Sequence, residues 1–212
     1  MISPIPQSPE QTEFVSRSQV TIVARDRPAI RYRDHLDPKE HWLRGPLNRV
    51  LQLLARISPG AGTLRVWLHR ARGVKIGKGV WIGYDVILDS SVPGLIVIED
   101  GASISMRAMI IAHFKESRGV RIERDAFVGP GVIILPNVQV GEGAVIKAGT
   151  VVSQSIPPRT IVEGNPAVAV GRCEIPLLPD VSLRQFAKGL RPLTTNKSNP
   201  TDQPRVAGEK KN

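Results

Sequence analysis

The 212-residue chain carries 29 Lys and Arg against 19 Asp and Glu, a formal net charge of +10, and only 4% of it is aromatic. That length holds one domain of ordinary size with appendages, and a single cysteine, Cys173, excludes an intramolecular disulfide and leaves secretion unsupported. The longest apolar stretch near the N-terminus, residues 47–57, is interrupted by Arg49, Gln52 and Arg56 and is too short to span a bilayer. With no signal-peptide pattern at the start, the expectation is a soluble cytoplasmic protein without a transmembrane segment. The charge suits polyphosphate, acidic glycan, nucleic acid or anionic lipid alike and does not choose among them.

Residues 1–40 carry Pro4, Pro6, Pro9, Pro28 and Pro38 among polar residues and predict an extended arm with little core. Over 41–72, helical spacing links Leu47, Val50, Leu51 and Leu54, and then Leu64, Trp67 and Leu68, on either side of Ser58-Pro59-Gly60. These predict two short helices packed on the end of whatever follows. Docking on a membrane surface is the alternative for such arginine-studded helices. The region 73–171 is repetitive. Beyond Arg172, Pro176 and Pro179 close the core, and 172–212 reads as an extension that is largely a disordered tail from about residue 190.

The repeat has a period of six. Ile76, Ile82 and Leu88 form one group, Ile98, Ile104 and Ile110 a second, and Ile122, Val128, Ile134, Val140, Ile146 and Val152 a third. Four places after each stands a small or aliphatic residue, from Val80 and Val86 to Thr150 and Ile156, with Phe114 the bulky exception. Six matches neither a helical turn nor strand alternation. It matches a coil of short parallel strands with a corner every sixth residue, three hexapeptides to a triangular layer. The expected fold is therefore an all-β solenoid, a parallel β-helix behind a short helical cap. Spacing alone leaves the hand of the winding open.

The Ile-Gly-x-x-Val/Ala units, the Val-Gly-Pro-Gly-Val-Ile-Ile-Leu-Pro run at 128–136 and Gly-Asn-Pro-Ala at 164–167 carry a resemblance. Over Gly73 to Arg172 the chain resembles the hexapeptide acyltransferases, a left-handed β-helix family that includes maltose, galactoside and exopolysaccharide O-acetyltransferases. The resemblance implies a homotrimer, acetyl-CoA as donor, no metal and no nucleic acid. Carried over by position, it marks Gly129, Gly131, Lys147, Ala148, Gly164, Asn165, Pro166, Ala167 and Arg172 for the donor. One departure is Pro130, where relatives often have a residue whose N–H faces the thioester; proline has none, so Gly131 or another amide would have to serve.

The repeat slips around Pro93-Gly94 and again after Ile110, where residues 113–119 replace an ordinary unit. Excursions from a solenoid are where sites are built, and His113, the sole histidine of the repeat region, lies at the second. The resemblance gives a histidine there the role of general base, and acetyl transfer from a thioester to an alcohol needs such a base. Asn137, one layer away, or Glu116 would orient the ring, although asparagine also serves a left-handed turn. Cys173, beyond the last repeat, is not needed as an acyl carrier. Trp81, Tyr84 and Arg107 are candidates to line the acceptor site, and the acceptor expected is a sugar or polysaccharide-precursor hydroxyl. An N-acyltransferase of nucleotide-sugars and a non-catalytic scaffold are the alternatives. A β-helix carbonic anhydrase would need three zinc-binding histidines, and the repeats supply one.

Overall fold

A hexapeptide supplies a strand too short to bury anything alone, so stacking is what makes it stable. The computed structural model describes residues 30–31, 38–114, 116–178 and 181–193. Strand β1 (Ile30–Arg31) precedes helices α1 (Pro38–Ile57) and α2 (Leu64–Ala71). The first coil is β2 (Lys75–Ile76), β3 (Trp81–Ile82) and β4 (Ile87–Leu88), and the second β5 (Ile96–Ile98), β6 (Ser103–Ile104) and β7 (Met109–Ile110). After a short strand β8 (Glu116–Ser117), the third coil is β9 (Val120–Ile122), β10 (Phe127–Val128) and β11 (Ile133–Ile134), and the fourth β12 (Gln139–Val140), β13 (Val145–Ile146) and β14 (Val151–Val152).

Parallel pairing between coils makes three faces, and each carries one ladder of the six-residue repeat. Ile76, Ile98, Ile122 and Val140 are in register on the first face. Ile82, Ile104, Val128 and Ile146 align on the second, and Leu88, Ile110, Ile134 and Val152 on the third. All but Ile76 are fully buried, and so are the small residues four places on, from Val80 to Ile156. The parallel β-solenoid of hexapeptide repeats read from the sequence is the fold. Phe114, the exception in the pattern, is 61% exposed, because it has left the coil. The earlier slip forms a 3-10 turn at Pro93–Leu95.

The C-terminal end is closed by the chain itself. Strand β15 (Thr160–Glu163) adds to β13, and β16 (Val168–Cys173) folds back antiparallel on β15. After α3 (Leu183–Lys188), β17 (Leu190–Pro192) pairs with β16, so ordered pairing continues past residue 190. Most of the expected arm, and residues 194–212 of the expected tail, lie outside the described residues.

The helical cap packs on the edge of the first coil, as expected, but not by its apolar stripe. A first coil has no coil beneath it, so its downward carbonyls need donors. Gln52 Nε2 donates to Val86 O, Arg65 to Ile82 O and Arg70 to Ile76 O and Gly77 O. Helix α1 therefore turns its polar side inward, with Gln52 and Ala55 buried, while Leu47, Val50 and Leu54 point to solvent. Apolar spacing in the sequence suggested the opposite face. The correction has a physical reason: a strand edge demands hydrogen bonds, which leucine cannot give.

Candidate active site

His113 stands three residues past Ile110, in register with Asn137 three past Ile134, at the corner after the third face. There the chain leaves the coil, and β8 pairs antiparallel with β1, Ile30 opposite Ser117. The corner thus holds an excursion whose outer rim is met by the N-terminal arm.

The orienting group is Asp89, one coil earlier. His113 Nδ1 lies 2.5 Å from Asp89 Oδ2. The same oxygen accepts from the backbone N–H of Ala112 (2.8 Å) and His113 (2.9 Å), and Oδ1 accepts from Ser91 N–H at 2.8 Å. The Asp89 side chain is 1% exposed and that of His113 44%. Burial pushes the Asp89 carboxyl up, but the hydrogen bond from His113, those from Ala112 and Ser91, and the His113 charge outweigh it and leave it below its ordinary value. An ionised Asp89 accepts a hydrogen bond from Nδ1–H, which leaves Nε2 as the ring nitrogen with the free lone pair.

The orienters named from the sequence were Asn137 and Glu116. Asn137 has φ +69 and its Oδ1 accepts from Arg118 N–H, so it serves the turn; the Glu116 side chain lies outside the described residues. Asp89 did leave a signal. On the third face the residue after the inward aliphatic is Ile111 and Leu135 in the next coils, and Asp89 departs from those two.

Asp89 is held from below. Arg72, buried, donates to Leu88 O and Asp89 O, both at 2.9 Å, to Asn48 Oδ1 at 2.5 Å and to Gln52 Oε1. Its NH1 also lies 3.0 Å from His69 Nδ1. Burial, then the Arg72 and Arg65 charges, push fully buried His69 down to about 3. Burial lowers Arg72 itself to about 10, against the pull of Asp89. The cap thereby reaches the backbone that carries the site.

The other candidates gather one corner away, before the third face rather than after it. Gly131 N–H donates to Met106 O, Arg107 N–H to Tyr84 O and Gly149 N–H to Pro130 O, so Tyr84, Arg107, Gly131 and Ala148 stand in one column. Gly129 and Lys147 enter the same corner. Gly164 O accepts from Val151 N–H and Ala167 N–H donates to Val151 O, which lays Gly164, Asn165, Pro166 and Ala167 over the last coil of that edge. A side of four to six residues is on the order of 15 Å long, so within one chain this column and His113 occupy two edges of one face.

Details limit several of these residues. The N–H groups of Gly129 and Gly131 are spent on Ile146 O and Met106 O, so neither replaces the donor that Pro130 lacks. Lys147 is ion-paired with Glu163, Arg172 is exposed on β16, and Trp81 is 42% exposed on β3. Cys173 is 1% exposed, its thiol is pushed up by burial, and Sγ donates to Gly143 O at 3.3 Å. A groove of 410 Å³ lined by Lys75, Val97, Glu99 and Arg124 lies on the first face, and His113 is not in its wall. Among the described residues no three His, Cys, Asp or Glu side chains are grouped to hold a metal.

Comparison with known proteins agrees with this architecture. The model for "Bacterial transferase hexapeptide (six repeats)" matches residues 119–154. The putative acetyltransferase YvoF of Bacillus subtilis (strain 168) is 31% identical over 125 residues, 56% of this chain and 72% of that protein. The serine acetyltransferase of Escherichia coli (strain K12) is 35% identical over 135 residues, 62% of this chain and 47% of that enzyme. The chain thus spans about half the length of the serine acetyltransferases it matches. The hexapeptide-repeat acetyltransferase of Vibrio cholerae O1 biovar eltor, solved with acetyl coenzyme A, shares the fold at a TM-score of 0.50 and 19% identity, over 63% of this chain and 88% of that one. Twelve phased repeats, three ladders of buried aliphatics and the match to a relative over most of that relative's length lead to one conclusion: the chain belongs to the bacterial hexapeptide-repeat transferase family.

Proposed function

We propose that the protein is an acetyl-CoA-dependent O-acetyltransferase in which His113 is the general base. The observation that carries this reading is the buried Asp89 carboxylate 2.5 Å from Nδ1 of a half-exposed imidazole at the solenoid's one large excursion. Nε2 takes the proton of the acceptor hydroxyl as its oxygen bonds to the thioester carbonyl carbon. The carbon–sulfur bond breaks, and the imidazolium returns its proton to the departing thiolate. Asp89 stays ionised and steadies the imidazolium between the two transfers. No enzyme nucleophile takes part, in keeping with the burial of Cys173.

The donor reading places the pantetheine arm along the column of Gly131, Ala148 and Gly164, with Lys147 and Arg172 toward its phosphates. His113 and this column lie on separate edges in one chain, which favours a homotrimer whose sites form between one subunit's histidine and a neighbour's column. Such a site works in the cytoplasm, where acetyl-CoA is made. The acceptor reading is a sugar or polysaccharide-precursor hydroxyl, with Tyr84 and Arg107 toward it. Serine is the second reading, favoured by the names of the relatives. Both are alcohols and need the same base. The test is release of free thiol from acetyl-CoA with serine, a panel of sugars and an amino-sugar nucleotide. Release with an alcohol supports the reading; release with the amine alone makes the protein an N-acyltransferase. No release with any acceptor leaves a scaffold.

A further inference from the structure

Helix α1 carries its apolar stripe on the side away from the protein. Leu47, Val50, Leu53, Leu54 and Ile57 are between 45% and 62% exposed, whereas Gln52 and Ala55 are buried. At about 100° per residue these five fall within one arc of roughly 120°, the width of a helix face that normally meets a core. Helix α2 adds Trp67 at 60% and Leu64 at 44% exposure. A soluble surface scatters its exposed apolar residues; a contiguous set on one helix marks a binding face.

The charge around the face indicates what binds. From Arg44 to Arg72 there are six arginines and no Asp or Glu. Arg65, Arg70 and Arg72 hydrogen-bond to the first coil and Arg56 pairs with Asp85, while Arg44, Arg49 and Arg70 remain exposed at the surface. We propose that this face of the helical cap docks on an anionic lipid surface and holds the β-helix there by its N-terminal end. Leucine, valine and tryptophan side chains enter the boundary between headgroups and acyl chains, and the flanking guanidinium groups pair with lipid phosphates. The alternative occupant is a second copy of this chain. A self-contact through the face would set arginine against arginine, with no carboxylate in the segment to neutralise them. An anionic membrane supplies both the apolar depth and the opposite charge. No helix among the described residues is long and apolar enough to cross a membrane, so the contact lies in the interface plane.

The experiment is flotation of the full chain with vesicles of phosphatidylcholine alone and of phosphatidylcholine mixed with phosphatidylglycerol, at low and high salt. Binding to the mixed vesicles, weakened by salt, is expected. Leu53→Glu and Leu54→Glu should each weaken it roughly tenfold or more, and Arg49→Glu should lower it on anionic vesicles. All three should melt like the parent, because these side chains face solvent. Absence of binding to mixed vesicles overturns the proposal, as does binding that ignores lipid charge. A fall in molecular mass by light scattering in Leu53→Glu would assign the face to a second copy instead.

Discussion

If His113 is the general base, His113 and Asp89 divide one task, and substitution separates their parts. His113→Ala should leave acetyl-CoA binding close to intact while slowing transfer by roughly a hundred- to ten-thousand-fold, measured as thiol release at saturating donor. The pH profile of the Ala variant should differ from the parent's, because only the parent's rate carries the general base. Asp89→Asn keeps the shape but removes the charge that steadies the imidazolium, so kcat should fall about a hundredfold or more with little change in KM for acetyl-CoA. Cys173→Ser should alter neither rate nor profile. Beneath the pair, His69 makes stability depend on pH. Its folded value of about 3 lies well below the ordinary 6.5, so between these values the unfolded chain binds a proton that the folded protein refuses. The stability it allows is full above pH 6.5 and drains as pH falls toward 3. The lowered Asp89 works in the same direction. Urea denaturation from pH 7.5 down to pH 4 should show a declining midpoint, with a shallower decline in His69→Asn; a flat profile would remove His69 from the account.

At the scale of the element, stability comes from ladders rather than from strands, since a two-residue strand has no existence apart from its neighbours above and below. Ile134 is fully buried between Ile110 and Val152 in the third ladder. Ile134→Asp should cost several kcal/mol, enough to unfold an ordinary domain, because the carboxylate would be buried without a partner. Leu193→Asp, at a position 40% exposed, should melt like the parent. Equal melting of the two would contradict the inward phase of the repeat. The cap helices follow a different logic. Their inward face was chosen by the carbonyls of Ile76, Ile82, Val86 and Leu88, which accept hydrogen bonds from Arg70, Arg65, Gln52 and Arg72 respectively.

The solenoid presents three faces, with His113 at one edge and the column of Tyr84, Arg107, Gly131 and Ala148 at the next. If the site is completed between subunits, the protein in solution should be a homotrimer, and light scattering with sedimentation should give three times the chain mass. Mixing His113→Ala with a variant damaged only in the column, such as Gly131→Trp, should then restore part of the activity, because some boundaries would pair an intact histidine with an intact column. A stable and active monomer would remove the shared site. Restoration would not occur if each chain carried a complete site of its own.

The six-residue period was enough by itself to place every inward residue of the coil, since an aliphatic that returns every sixth position can be buried only by a strand that turns a corner at the same interval. It also singled out His113, because a break in so regular a pattern is visible without coordinates. Asp89 was not found that way. Its distance from His113 along the chain reflects a loop at Pro93–Leu95 that offsets one coil against the next, and only the stacked coils bring the carboxylate under the ring. Nor could the apolar spacing of α1 tell which side faces inward: hydrophobic periodicity reports that a stripe exists, whereas the unpaired carbonyls of the first coil, a property of the folded edge, decided that the stripe would face out.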